Sequence, residues 1–199
     1  MAAEPASPDA RAEALLSVAD AAAGAGEAEA ALLALREATE CVDALDVPWR
    51  RATALTRMAR TYSRVGRKDL AGEALRRAEQ AGEAVSDRHR AAALRSSIVS
   101  GYLAAGDAAA AARVARDIPD PGRRSHQAIA IATHLAGLER YEQALRALDL
   151  AERPYIAFSG QDALDTLADA YCHAWGPEAA LSELLRIEPV ELRDAVLKH

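Results

Sequence analysis

Apolar residues recur along this chain at spacings of three and four, and the pattern itself repeats. Gly26, Gly66 and Gly106 stand 40 residues apart, and each is followed five residues later by an alanine: Ala31, Ala71 and Ala111. The same register reaches Ala144 and Ala180. Five copies emerge, opening near Ala12, Ala52, Ala92, Ser125 and Gln161, at spacings of 40, 40, 33 and 36. In the first half of each copy one column reads Val18, Met58, Ile98, Ile131 and Leu167, and the next Ala19, Ala59, Val99, Ala132 and Ala168. In the second half, Leu35, Leu75, Ala115, Leu148 and Leu184 lie four residues after the small column. Such spacings mark one face of an α-helix. A glycine between the halves supplies the left-handed residue that ends a helix. Each copy is therefore predicted to be a helix–turn–helix hairpin.

These residues resemble the tetratricopeptide repeat (TPR). The second copy carries the motif best, with Leu55, Met58, Ala59, Tyr62, Gly66, Ala71, Leu75 and Ala78; the fifth follows with Leu164, Leu167, Ala168, Tyr171, Ala180 and Leu184. The first copy has Ala22 where the motif has Tyr. The fourth has Leu135 there and places Gly137 two residues early. The third has Arg95 at an apolar position, where Leu94 takes over. Hairpins of this kind cannot bury their own apolar faces alone, so neighbours stack and share a continuous core. The resemblance implies an all-α fold, a right-handed α-solenoid of about five hairpins with a concave groove. Residues 10–188 form the repeat domain, residues 1–9 are expected to be disordered, and residues 189–199 to form a C-terminal capping helix opened by Pro189.

Composition narrows the class further. Of 199 residues, 51% are hydrophobic but only 4% aromatic. Alanine and leucine, strong helix formers, supply most of the apolar mass, while strands need the aromatics and β-branched residues that are scarce here. The stretch without charge from Ser125 to Leu138 is too short and polar to span a bilayer. No basic patch precedes an apolar run at the N-terminus, so no secretory signal is read and the cytoplasm is the expected compartment. Heavy use of Ala and Arg suggests a GC-rich bacterial genome. Cys41 and Cys172 make no CxxC pair, and the five His show no HExxH, so neither a disulfide framework nor a metal site is expected. Gly24 and Gly26 lack the following Lys of a phosphate loop. Neither a cofactor nor a catalytic group is assigned, and the expectation is a protein without enzyme activity.

Charge is distributed unevenly. Residues 1–48 hold 2 basic and 10 acidic residues, residues 49–95 hold 12 and 5, and residues 160–199 hold 3 and 8, within a net charge of −6. The resemblance puts six positions of each first helix on the groove. In copy two they are Thr53, Thr56, Arg57, Arg60, Ser63 and Arg64; in copy five they include Asp162, Asp165, Asp169, Cys172 and His173, and copy four begins with His126. Arg57, Arg60 and Arg64 share one helical face, and Asp162, Asp165 and Asp169 repeat the spacing with opposite sign. A planar guanidinium suits carboxylates. An extended segment would lay its acidic part on the Arg stripe and its basic part on the Asp stripe. Solvated surface charge is the plainer account of both stripes. The two-Lys-plus-Asn clamp of some TPR proteins is missing. Tyr155, Ile156 and Phe158 form an aromatic-rich linker, read either as packing between hairpins or as an exposed anchor.

The expected function is a non-catalytic protein–protein interaction module, an adaptor, scaffold or regulator that grips a peptide or helix in its concave groove. Self-assembly of the basic middle with acidic ends into a homo-oligomer is the alternative. Nucleic-acid binding ranks below both, because the net charge is negative and no stacking aromatics sit beside the arginines.

Overall fold

The turns carry the repeat most directly. In four successive copies one backbone bond closes the first helix: the amides of Glu27, Arg67, Asp107 and Arg140 donate to the carbonyls of Ala22, Tyr62, Tyr102 and Leu135 at 2.8–3.0 Å. This is the bond across a left-handed residue that satisfies a helix end. Gly26, Gly66 and Gly106 supply that residue with φ of 81°, 78° and 84°. The fourth copy departs from expectation. Gly137 is right-handed, with φ of −63°, and the left-handed position falls to Glu139 at φ of 58°. Glu139 is the fifteenth residue of its copy, as the three glycines are of theirs. The position in the fold is fixed even where the residue best suited to it is not.

The computed structural model describes residues 7–151 and 161–176, and every regular element among them is an α-helix. The chain divides into two compact units, Met1–Asp107 and Ala108–His199. In the first, α1 (Pro8–Gly24) and α2 (Ala28–Asp43) form one hairpin, and α3 (Pro48–Arg64) and α4 (Lys68–Glu83) a second. Helix α3 packs on α1 and α2, and α5 (Arg88–Ala105) packs on α3 and α4. In the second unit, α6 (Ala108–Arg116) packs on α7 (Pro121–Ala136), which pairs with α8 (Tyr141–Leu148). The last described helix, α9 (Gln161–Trp175), lies against α7 and α8.

Helices α1, α3, α5 and α7 each begin four residues before the copy openings at 12, 52, 92 and 125. Pro8, Pro48 and Pro121 open three of them, at the one turn where a missing N–H costs nothing. Asp87 and Asp120 cap two, accepting from the amides of Arg90 and Arg123 at 2.8 and 2.7 Å. The amide of Arg90 holds the Asp87 carboxyl below the usual carboxylate range. The N-terminal expectation needs correction: Ser7 caps α1, accepting from the Ala10 amide, and residues 8 and 9 are helical.

Each unit is held by its columns. Ala19, Ala59, Val99, Ala132 and Ala168 are fully buried, as are Ala31, Ala71, Ala111 and Ala144. The alanine methyl groups at those positions let two backbones approach, and Met58, Ile98, Ile131, Leu35 and Leu75 fill the space between. At Gly101 even a methyl group would stand 2.6 Å from Leu75 Cδ2. Leu94 is buried and Arg95 partly so, as the shifted third copy implied. Val18 breaks its column. It is 57% exposed, because no described element covers that side of α1. Arginines brace the linkers: Arg51 Nε donates to the Leu45 carbonyl at 2.9 Å and Arg124 Nη1 to that of Ile118 at 3.0 Å, six residues back in both. The Tyr155 linker, residues 1–6, Ala180 and the capping helix at 189–199 lie outside the described residues.

Candidate interaction face

The expected groove positions do not share one environment. Thr56 is buried, its hydroxyl donating to the Ala52 carbonyl at 2.8 Å, so it belongs to the core and not to a binding face. The reason is positional. Its equivalents Leu16 and Ile129 are also buried between helices. Thr53 is exposed and donates to the Trp49 carbonyl at 2.8 Å.

Arg57 is not free to meet a partner. Its Nε donates to Asp20 Oδ2 at 2.7 Å, Nη1 to Glu13 Oε1 at 2.5 Å and Nη2 to Ser17 Oγ at 3.1 Å, all on α1. Its side chain keeps 22% exposure. Thr61, fully buried one turn further along α3, donates its hydroxyl to the other oxygen of Asp20. Arg64 Nη1 stands 4.0 Å from the same carboxylate. Burial alone would raise the Asp20 pKa. The bonds from Thr61 and Arg57, with the charges of Arg57 and Arg64, outweigh it and leave the carboxyl below its ordinary value. Burial would likewise lower Arg57, and the bonds to Asp20 and Glu13 raise it instead. The expectation that Arg57 is solvated is thus overturned. Asp20, Glu13 and Ser17, which sequence reasoning passed over, take up its donors.

Arg60 differs. It is exposed, and no ion pair or hydrogen bond engages it among the described residues. The repeat explains this. Forty residues after Asp20, Arg57, Thr61 and Arg64 come Arg60, Ser97, Gly101 and Ala104. Where α3 meets α1, a carboxylate is surrounded by donors. Where α5 meets α3, the equivalent position holds a guanidinium, and its equivalent neighbours carry no charge. Ser97 and Ser100 are exposed on that face of α5.

Beside the network lies a cleft of about 540 Å³ between the N-terminal halves of α1 and α3. Ala12, Leu16 and Leu45 form its buried floor, and Trp49, Thr53 and Ala54 its α3 wall. Two ion pairs stand at its rim, Asp9 with Arg50 at 2.6 Å and Glu13 with Arg57 at 2.5 Å.

The other expected residues belong to the second unit. His126 is exposed on α7. His173 is exposed on α9, its ring stacked on Tyr141 at 4.7 Å and its Nδ1 2.8 Å from the Asp169 carbonyl oxygen. Asp165 and Asp169 are half-buried and each has an interaction of its own, so they are not an open acidic stripe. The side chain of Asp162 lies outside the described residues. Burial raises the Cys172 thiol pKa, and the Asp169 charge adds to it. Among the described residues, no group of three or more His, Cys, Asp or Glu is placed to hold a metal ion, and no helix is long and apolar enough to cross a membrane.

No family model matches the chain, and neither a curated protein nor a solved structure matches it.

Proposed function

We propose that this chain is a TPR-like right-handed solenoid that acts, without catalysis, as an interaction module for the acidic segment of a protein partner. Arg60 and Arg64 are the residues that hold it, with the Ser97 and Ser100 hydroxyls beside them. Arg57 positions α1 against α3 and contributes field instead of contact.

One observation carries this reading. Arg60 occupies the place of Asp20 in the repeat, yet no ion pair neutralises it among the described residues. A fork of five N–H donors standing open to solvent fits a carboxylate from outside the chain. The expected occupant is an extended acidic peptide, since Arg60 and Arg64 follow one another along one exposed helix face.

The test is a partner recovered by affinity capture and then measured by titration. Arg60→Glu with Arg64→Glu is expected to weaken its binding at least 30-fold, about the loss of a charged contact, while circular dichroism stays unchanged. The control is Arg76→Glu, exposed on α4. Arg77 is unsuitable for that purpose, because it is paired with Asp43. Equal losses in both variants would replace the contact by a diffuse field and overturn the assignment.

A further inference from the structure

We infer that the α1/α3 cleft takes an apolar side chain of the same partner, three residues away from the acidic residue held by Arg60. The inference rests on the function proposed above and adds a second contact to it.

The cleft is built for an apolar group. Leu16, Leu45 and Ala12 are buried at its floor, and the indole of Trp49 is half-exposed at its wall. A volume of about 540 Å³ lies in the range of ligand sites and exceeds a single leucine or tryptophan side chain. Its polar side chains do not compete for a charged ligand. Asp9 and Arg50 neutralise one another, as do Glu13 and Arg57. The floor therefore offers desolvation, and the rim offers no unpaired charge. An acidic group gains nothing here and an aliphatic or aromatic one does.

Continuity with the arginine face ties the occupant to the acidic partner. Thr53 and Arg57 line the cleft and lie on the same helix as Arg60 and Arg64. The midpoint of the α3 lining is Thr53, seven residues before Arg60. At about 1.5 Å per residue, that is roughly 10 Å along the helix. An extended peptide covers this in three residues at about 3.3 Å each. Partner and protein then match in both charge and spacing: an apolar side chain, two intervening residues, and a carboxylate.

The experiment uses the full chain and a panel of synthetic peptides, capped at both ends. Each carries one leucine or tryptophan separated by one to six positions from a pair of aspartates, in either order, in a serine background. Binding by the parent protein is expected to peak at a separation of three and to fall about 10- to 100-fold when the apolar residue becomes serine. Ala54→Leu fills the cleft from its half-buried wall. That variant is expected to lose the preference for an apolar residue while keeping the salt-sensitive contribution of the aspartates. Arg60→Glu is expected to do the reverse. Equal affinity at every separation, or unchanged binding by Ala54→Leu, overturns the cleft assignment and leaves the arginine face standing. Unchanged binding by Arg60→Glu, or no binding of any peptide by the parent, overturns the proposed function and this inference with it.

Discussion

The α1/α3 and α3/α5 seams are built on the same register and end in opposite chemistry. At the first, Asp20 accepts from Arg57 and Thr61, with Arg64 at the edge of reach. At the second, the residue in the Asp20 position is Arg60, and Ser97, Gly101 and Ala104 replace the donors. One seam satisfies itself and so serves stability. The other leaves Arg60 exposed, and it is the seam to which the proposed recognition is assigned. Equivalent positions of a repeat thus differ in their environment through a change of charge and of the groups facing it.

Converting the first seam into the second is the most damaging way to break this comparison. Asp20→Arg would face Arg57 and Arg64 with a third cation and leave Thr61 only the Arg57 carbonyl, at 3.2 Å, as acceptor. A loss of about 2–3 kcal/mol is expected from denaturant unfolding. A variant as stable as the parent would mean that the network holds nothing together.

Acid sharpens the contrast with a smaller effect. Asp20 has a folded pKa below its unfolded value. Its contribution is therefore complete above about pH 4, the unfolded carboxylate range, and drains away as pH falls through the folded pKa. The stability gap between the parent and Asp20→Asn should narrow as pH is lowered in that window. Arg60→Ala at the other seam should differ from the parent by the same small amount throughout. A gap for Asp20→Asn that is constant down to pH 2 would remove the carboxylate from the account.

Grafting the first seam onto the second should change stability least. Arg60→Asp with Ser97→Arg rebuilds the Asp20–Arg57 pair forty residues on, at a partly exposed site. A gain of about 0.5 kcal/mol is expected, in the range of solvated ion pairs. Binding of an acidic partner should be lost together with the free cation. Retained binding would show that charge at this position is not what recognises the partner.

The sequence reveals the hairpins because their signal is local. Ala19, Ala59 and Ala71 sit in periodic columns, and periodicity follows directly from helix geometry. Column membership does not reveal coverage. Met58 is buried because α3 has helices packed on it from both sides of the chain, α1 and α2 before it and α4 and α5 after it; Val18, in the same column, faces solvent on α1, which packs on α2 and α3. The Arg57 network was missed for a similar reason. Arg57, Arg60 and Arg64 read as one stripe on one helix, but their partners lie on another. A signal did exist: Asp20 and Arg57 are 37 residues apart, three short of the repeat, so one turn and one copy bring opposite charges face to face. The left-handed Glu139 escaped because no residue preference marks it.

The identical turns at Gly26 and Gly66 also have a genetic consequence. Recombination joining codon 26 to codon 67 removes forty residues and hands α1 the second half of the next hairpin, with the turn and all apolar columns still in phase. Removing thirty-nine instead rotates everything downstream by about 100° and turns the core stripe toward water. Between the two 40-residue copies a whole-repeat exchange therefore keeps the register, and a thirty-nine-residue one loses it. The in-register exchange is not silent, because Asp20 would then meet Ser97 and the resulting protein would carry an unpaired carboxylate where its parent displayed an arginine.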